Sequence, residues 1–250
     1  MSQGGAQPRP LSLTGAIAAA LALSGAPVEA SAQQIQPFMP GVRNDVRLGP
    51  STQYATADGE LRFVFDRSGG RVALLRFEGD PEVHVLRSIG GGAGGSELYR
   101  NDTNDLALRV TPQGGVTLYT RNHRAGAAVA ETGAGAPITP QALAIAQYQA
   151  RMRQLQAAAQ RSLGRPVIFV APANVMGPSA GLVIDAAERA AAGLIASPGV
   201  TVQRVIIRVG PSPGARINGR DLNIQVAPNL GYAGRPSTTA IRSVLIGPEQ

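Results

Sequence analysis

The chain has 250 residues and a formal net charge of +7, and all 23 of its basic side chains are arginine; lysine, cysteine and tryptophan are missing, and histidine occurs only at His84 and His123. The lack of lysine excludes a Gly-Lys-Ser/Thr phosphate loop, Schiff-base chemistry and a serine–lysine dyad. The lack of cysteine excludes a thiol nucleophile, a thiolate-held metal cluster and a disulfide.

Residues 1–32 read as a signal peptide. Arg9 lies in a short polar start, the apolar run Leu11 to Leu23 follows, and Ala30-Ser31-Ala32 supplies the small residues that a signal peptidase needs. The run is shorter than the ~20 residues that span a bilayer. No Arg-Arg pair precedes it and no cysteine follows it, so the expected route is Sec-type export without a lipid anchor. A mature chain beginning at Gln33 is then expected in the periplasm or outside the cell, with no membrane span of its own.

Residues 33–55 carry weak periodicity and read as an extended lead-in. The segment 56–135 reads as a β-meander of about six short antiparallel strands. Leu61, Phe63 and Phe65 alternate with polar or smaller residues, Arg67-Ser68-Gly69-Gly70 turns the chain, and Ala73, Leu75 and Phe77 alternate again. Further short strands are expected at Val83 to Val85, Glu97 to Arg100, Leu106 to Val110 and Val116 to Leu118, with the glycine-rich loop Gly90 to Gly95 between the first two. The strings Phe63-Val-Phe-Asp-Arg-Ser-Gly69, Leu74-Leu-Arg-Phe-Glu78, Tyr99-Arg-Asn-Asp102 and Gly114-Gly-Val-Thr-Leu-Tyr-Thr120 resemble those of an uncharacterised family of small exported alphaproteobacterial proteins, a domain of unknown function. This resemblance implies no activity.

Thr139 as N-cap, Pro140 at the first helical position and Gly164 at the end predict an amphipathic helix over 139–164. Ile145, Tyr148, Met152, Leu155, Ala159 and Ser162 form its apolar stripe. One reading is a partner or dimer helix, giving the chain a structural or assembly role; the plainer reading is a helix lying across its own sheet, and a single short seam favours it. The region 165–250 then reads as a small mixed sheet with one βαβ unit. It comprises a strand at Val167 to Ala171, an Ala-rich amphipathic helix at Ser179 to Ile195, a strand at Val202 to Val209, and two more strands at Leu222 to Val226 and Ile241 to Ile246. Asn218-Gly219 is a hairpin turn. The fold class is therefore α+β.

The net charge is confined to one half. Residues 33–139 hold 11 arginines and 11 carboxylates, whereas residues 140–250 hold 11 arginines against Asp185, Glu188, Asp221 and Glu249. An anionic partner, if there is one, belongs to the second half. Arg204 and Arg208 fall on one face of their strand while Val205, Ile207 and Val209 point the other way, and Arg216 and Arg220 are placed in the following loop. These four arginines are the candidate ligand-binding residues, for an anionic envelope component or another protein. Nucleic acid is disfavoured because no aromatic side chain is interleaved with them for base stacking.

Catalysis has one candidate. Gly177-Pro178-Ser179-Ala180-Gly181 has the Gly-x-Ser-x-Gly form of a nucleophile elbow and is similar to the string around the nucleophile of Lon-type proteases. A Lon-type dyad needs a lysine, and an α/β-hydrolase order needs a histidine after the serine, whereas both histidines precede Ser179. The competing reading is that Pro178 and Ser179 start a helix. A serine hydrolase or peptidase using Ser179 is the alternative to a non-catalytic binding protein. No cofactor or metal is expected: the histidines lack close-spaced partners, and Asn101 to Asp105 reads as a turn rather than a calcium loop.

Overall fold

The structure is a computed structural model, and it describes residues 50–69 and 72–247. The expected signal peptide and most of the expected lead-in lie outside the described residues. Eight antiparallel strands form a closed barrel: β1 (Ser51–Thr56), β2 (Arg62–Asp66), β3 (Val72–Phe77), β4 (His84–Gly91), β5 (Glu97–Arg100), β6 (Ala107–Val110), β7 (Val116–Tyr119) and β8 (Ala127–Ala134). Each strand pairs with the next in sequence, and β1 pairs with β8 to close the ring. The expected six-strand meander is thus corrected to an eight-strand barrel, and the lead-in ends in a barrel strand. The two added strands lack the apolar alternation that marks the others. β1 fills its inward positions with Thr52, Tyr54 and Thr56, and β8 is mostly alanine, glycine and polar residues.

The barrel interior is packed with side chains, as expected at this strand number. Phe65, Leu75, Leu86, Leu108 and Leu118 are fully buried, and Tyr54 stacks on Phe63 at 5.5 Å between ring centroids while Phe65 meets Tyr99 edge-on at 5.3 Å. His84 stands opposite the buried Leu75 and therefore points inward at the end of its strand, its ring against Phe77.

The connection out of the barrel is anchored by a buried carboxylate. Asp66 accepts the main-chain N–H of Ile138 at 2.7 Å and that of Ser68 at 2.9 Å. Residues 139–144 are not helical, and Leu143 and Gly177 exchange two main-chain hydrogen bonds. The helix expected from Thr139 therefore begins later, as α1 (Ile145–Leu163), with the Gln147 side chain accepting from the Ala144 N–H at its start. Its stripe is as expected for Tyr148, Met152, Leu155 and Ala159, which face the core, whereas Ser162 is exposed and Leu163 packs in its place.

A two-layer α+β unit completes the chain: β9 (Ile168–Val170), α2 (Gly177–Ile195), β10 (Arg204–Val209), β11 (Gly214–Asn218), β12 (Asp221–Val226) and α3 (Thr238–Ile246). The sheet order is β11-β12-β10-β9, with β10 parallel to both β9 and β12 and with β11 antiparallel to β12. The expected βαβ unit is β9-α2-β10. Gly219 has φ +59 at the first central position of the β11–β12 turn, as a type II′ hairpin requires. Arg216 therefore lies on a strand rather than in a loop. The expected strand at Ile241 to Ile246 is corrected to helix α3: Ser237 caps it by accepting from the Ala240 N–H at 3.0 Å, and Ile241 and Leu245, four apart, supply its buried face. Helix α2 is buried on nearly every side rather than amphipathic, because the sheet, α1 and α3 all pack on it.

Candidate functional site

All three helices pack against one face of the four-stranded sheet, where Phe169, Val205, Ile207, Leu222 and Ile224 are buried. Among the described residues, the opposite face has no such cover. Because β9, β10 and β12 run parallel and β11 folds back, that open face is laid out in rows fixed by the strand register. The first row is Ile168, Arg204, Asp221 and Asn218; the second is Val170, Ile206, Asn223 and Arg216; the third is Arg208, Gln225 and Gly214.

The candidate arginines differ in their state. Arg204 is neutralised by Asp221, its Nε and Nη2 lying 2.8 and 2.5 Å from the two carboxylate oxygens. Hydrogen bonding to that guanidinium holds the Asp221 carboxyl below its usual range. Arg208 and Arg216 are exposed, make no ion pair within the described residues, and line the same groove of about 390 Å³. Asn218, Asn223 and Gln225 add amide groups to that groove, and Gln225 is oriented by donating to the Ser212 carbonyl at 2.8 Å. Arg220 occupies the second position of the hairpin turn; its carbonyl accepts from Gln203 while its side chain is exposed. Two arginines aided by amides can hold an anion by paired N–H donation.

Ser179 lies in the first turn of α2 and forms no side-chain hydrogen bond among the described residues. His123 sits in the β7–β8 turn with its Nδ1 3.1 Å from the Thr120 hydroxyl, and His84 is at the barrel end, so neither histidine is hydrogen-bonded to the serine. The two glycines of the string have packing uses. Gly177 adopts φ +66 at the bridge to Leu143, and a Cβ on Gly181 would lie 2.0 Å from the Gln141 carbonyl oxygen. Among the described residues, no group of three or more His, Asp or Glu side chains could hold a metal ion, and no helix is long and apolar enough to cross a membrane. The Asn101 to Asp105 loop is a polar turn in which Asp105 accepts from Asn101 and from the Thr103 hydroxyl at 2.7 Å.

A charge cluster that sequence reasoning missed joins the barrel to the helices. Asp185 and Arg189, four apart on α2, meet Arg235 from the segment before α3 and Glu82 from the β3–β4 connection. Asp185, Arg189 and Arg235 are buried. Glu82 also accepts the Thr238 N–H at 3.0 Å, and Asp102 of the barrel accepts the Ser237 hydroxyl at 2.9 Å. The available signal was the charged residues Asp185, Glu188 and Arg189 inside an otherwise mostly apolar, alanine-rich helix, since such charges need partners when buried. Beside this cluster, a cleft of about 340 Å³ separates the barrel from β11 and α3.

No curated protein and no solved structure matches the chain. The resemblance carried by the barrel strings is matched by a family model that covers residues 38–245, nearly all of the barrel and the α+β unit. The chain belongs to the family described as Domain of unknown function (DUF4908).

Proposed function

We propose that this protein is an exported, non-catalytic binding module of the cell envelope that holds an anionic ligand on the open face of its C-terminal sheet. The observation that carries this reading is the pairing state of the arginines. Arg208, Arg216 and Arg220 are exposed without a carboxylate partner among the described residues, while their neighbour Arg204 is already neutralised by Asp221. Paired strands fix the backbone positions of Arg208 and Arg216, while their long side chains stay free to turn toward an anion.

Two measurements test the reading. Retention of the mature protein on an immobilised polyanion is expected to fall with added salt and to be lost in R208E/R216E, with the folded circular dichroism spectrum unchanged. Retention that is indifferent to the double reversal would overturn it. For export, the protein recovered from a periplasmic or culture fraction is expected to begin at Gln33 by intact mass; a full-length product confined to the cytoplasm would remove that part of the proposal.

A further inference from the structure

The open sheet face is divided into two chemistries, and the division is made by strand register. Along the β9 side run Ile168, Val170 and Ile206, side by side across the parallel pairing of β9 with β10. Ile168 and Val170 are 52% and 46% exposed on the edge strand of the sheet rather than at a loop tip. From the end of β10 across β12 to β11 lie Arg208, Arg216 and the amides of Asn218, Asn223 and Gln225, with Arg220 in the β11–β12 turn. The outer edge of β9 is closed to a further strand on its Phe169 N–H, which donates to the Gln156 side chain at 3.0 Å, so what remains available there is the side-chain face.

We infer that this face docks on an anionic phospholipid surface, with Ile168, Val170 and Ile206 at the headgroup–acyl boundary and Arg208, Arg216 and Arg220 on the phosphates. The inference rests on the anionic-ligand reading above and names the ligand class. A soluble polyanion would satisfy the arginines but leave the apolar strip against water and polar groups. A second copy of the chain would cover the strip but supply this face with no free carboxylate for the arginines, because among the described residues the carboxylate on the face, Asp221, is already engaged by Arg204. A nucleic acid would find no aromatic ring on the face to stack on. A bilayer with anionic headgroups satisfies both halves at once, since phosphates lie directly above an apolar layer.

The test uses the mature chain with vesicles of phosphatidylglycerol and phosphatidylcholine, vesicles of phosphatidylcholine alone, and soluble polyphosphate. Binding is expected on the anionic vesicles, weaker on the neutral ones. Each arginine near such a surface is worth about fivefold in partitioning, so R208Q/R216Q is expected to bind about 25-fold less. I168S/V170S, which leaves the charges in place, is expected to bind anionic vesicles about tenfold less while keeping its polyphosphate affinity. Because the chain has no cysteine, V170C carrying an environment-sensitive dye reports on the strip directly; its emission should shift to the blue only when anionic vesicles are added. Equal loss of polyphosphate and vesicle binding in R208Q/R216Q with no effect of I168S/V170S would overturn the lipid inference and leave the anionic-ligand reading standing. Indifference of every variant would remove both. A dye already shielded without vesicles would show that the strip is covered by residues 33–49 or by a second copy, and that too would overturn the inference.

Discussion

Arg235 donates from its guanidinium to the Asp185 carboxylate on α2 and, through Nη2, to the Val83 carbonyl of the barrel at 2.7 Å. One buried cation thus ties together three parts of the chain. Removing its counterion leaves Arg235 buried without a carboxylate, whereas Arg189 keeps Glu82 and Glu188; breaking a buried pair from one side costs about 3–5 kcal/mol. D185A is therefore expected to lower the unfolding free energy, read from denaturant titration, by that amount, whereas D185L/R235M, which removes both charges, is expected to recover much of the loss. Equal loss in the single and double variants would show that the pair itself, rather than the orphaned charge, sets the stability.

The same cluster predicts an acid-side dependence. Burial by itself would raise the Glu82 carboxyl, but the Thr238 N–H, His84 and Arg189 together hold it below the ordinary glutamate range. A lowered folded value contributes stability above the unfolded pKa, near ~4.3, and loses it as pH falls through the folded one. Asp185 and Glu188 are pushed up by burial and act in the opposite sense, losing their contribution as pH rises through their folded values. The melting temperature of E82Q is expected to fall less steeply below pH ~4.3 than that of the unsubstituted protein. A steeper fall in E82Q would contradict the assignment.

Ser179 and Gly181 are expected to part company on substitution. G181A would push a methyl group into the Gln141 carbonyl, and it is expected to cost about 1–3 kcal/mol or more in chemical denaturation. S179A touches no hydrogen bond and is expected to stay within about 0.5 kcal/mol. The unsubstituted protein is expected to resist labelling by a fluorophosphonate probe; labelling abolished by S179A would establish a nucleophile.

Gln156 guards the outer edge of β9. Q156A is expected to leave the Phe169 N–H without its acceptor, at a cost of about 1 kcal/mol, and to accelerate amide exchange at Phe169 more than at Val205, which lies inside the sheet. Unchanged exchange at Phe169 would mean that the side chain contributes nothing to the edge.

The barrel was legible where its strands alternate apolar and polar residues, as in Phe63, Phe65 and Leu75. It was illegible at β1 and β8, where threonine, alanine and glycine give no period to read. Ile241 to Ile246 misled because a short apolar run fits a strand or a helix equally well, and the deciding group, the Ser237 cap, acts from outside the run. At the site, the shared face of Arg204 and Arg208 follows from strand periodicity alone. That Asp221 neutralises one of them, and that Arg216 shares a groove with the other, depends on which strands become neighbours, and no local pattern carries that information.

Closure of the barrel also orders its assembly in time. β1 borrows half of its main-chain partners from β8, whose last residue, Ala134, comes 83 positions after Ser51, and the Gly135 N–H seals the seam on the Ser51 carbonyl at 3.0 Å. Until residue 134 has emerged, one side of β1 stays unpaired, a long-range contact that loop entropy makes slow to form. The first described strand to be synthesised is therefore the last to be fully secured, and during that interval its free edge is the nascent chain's point of greatest exposure to mispairing.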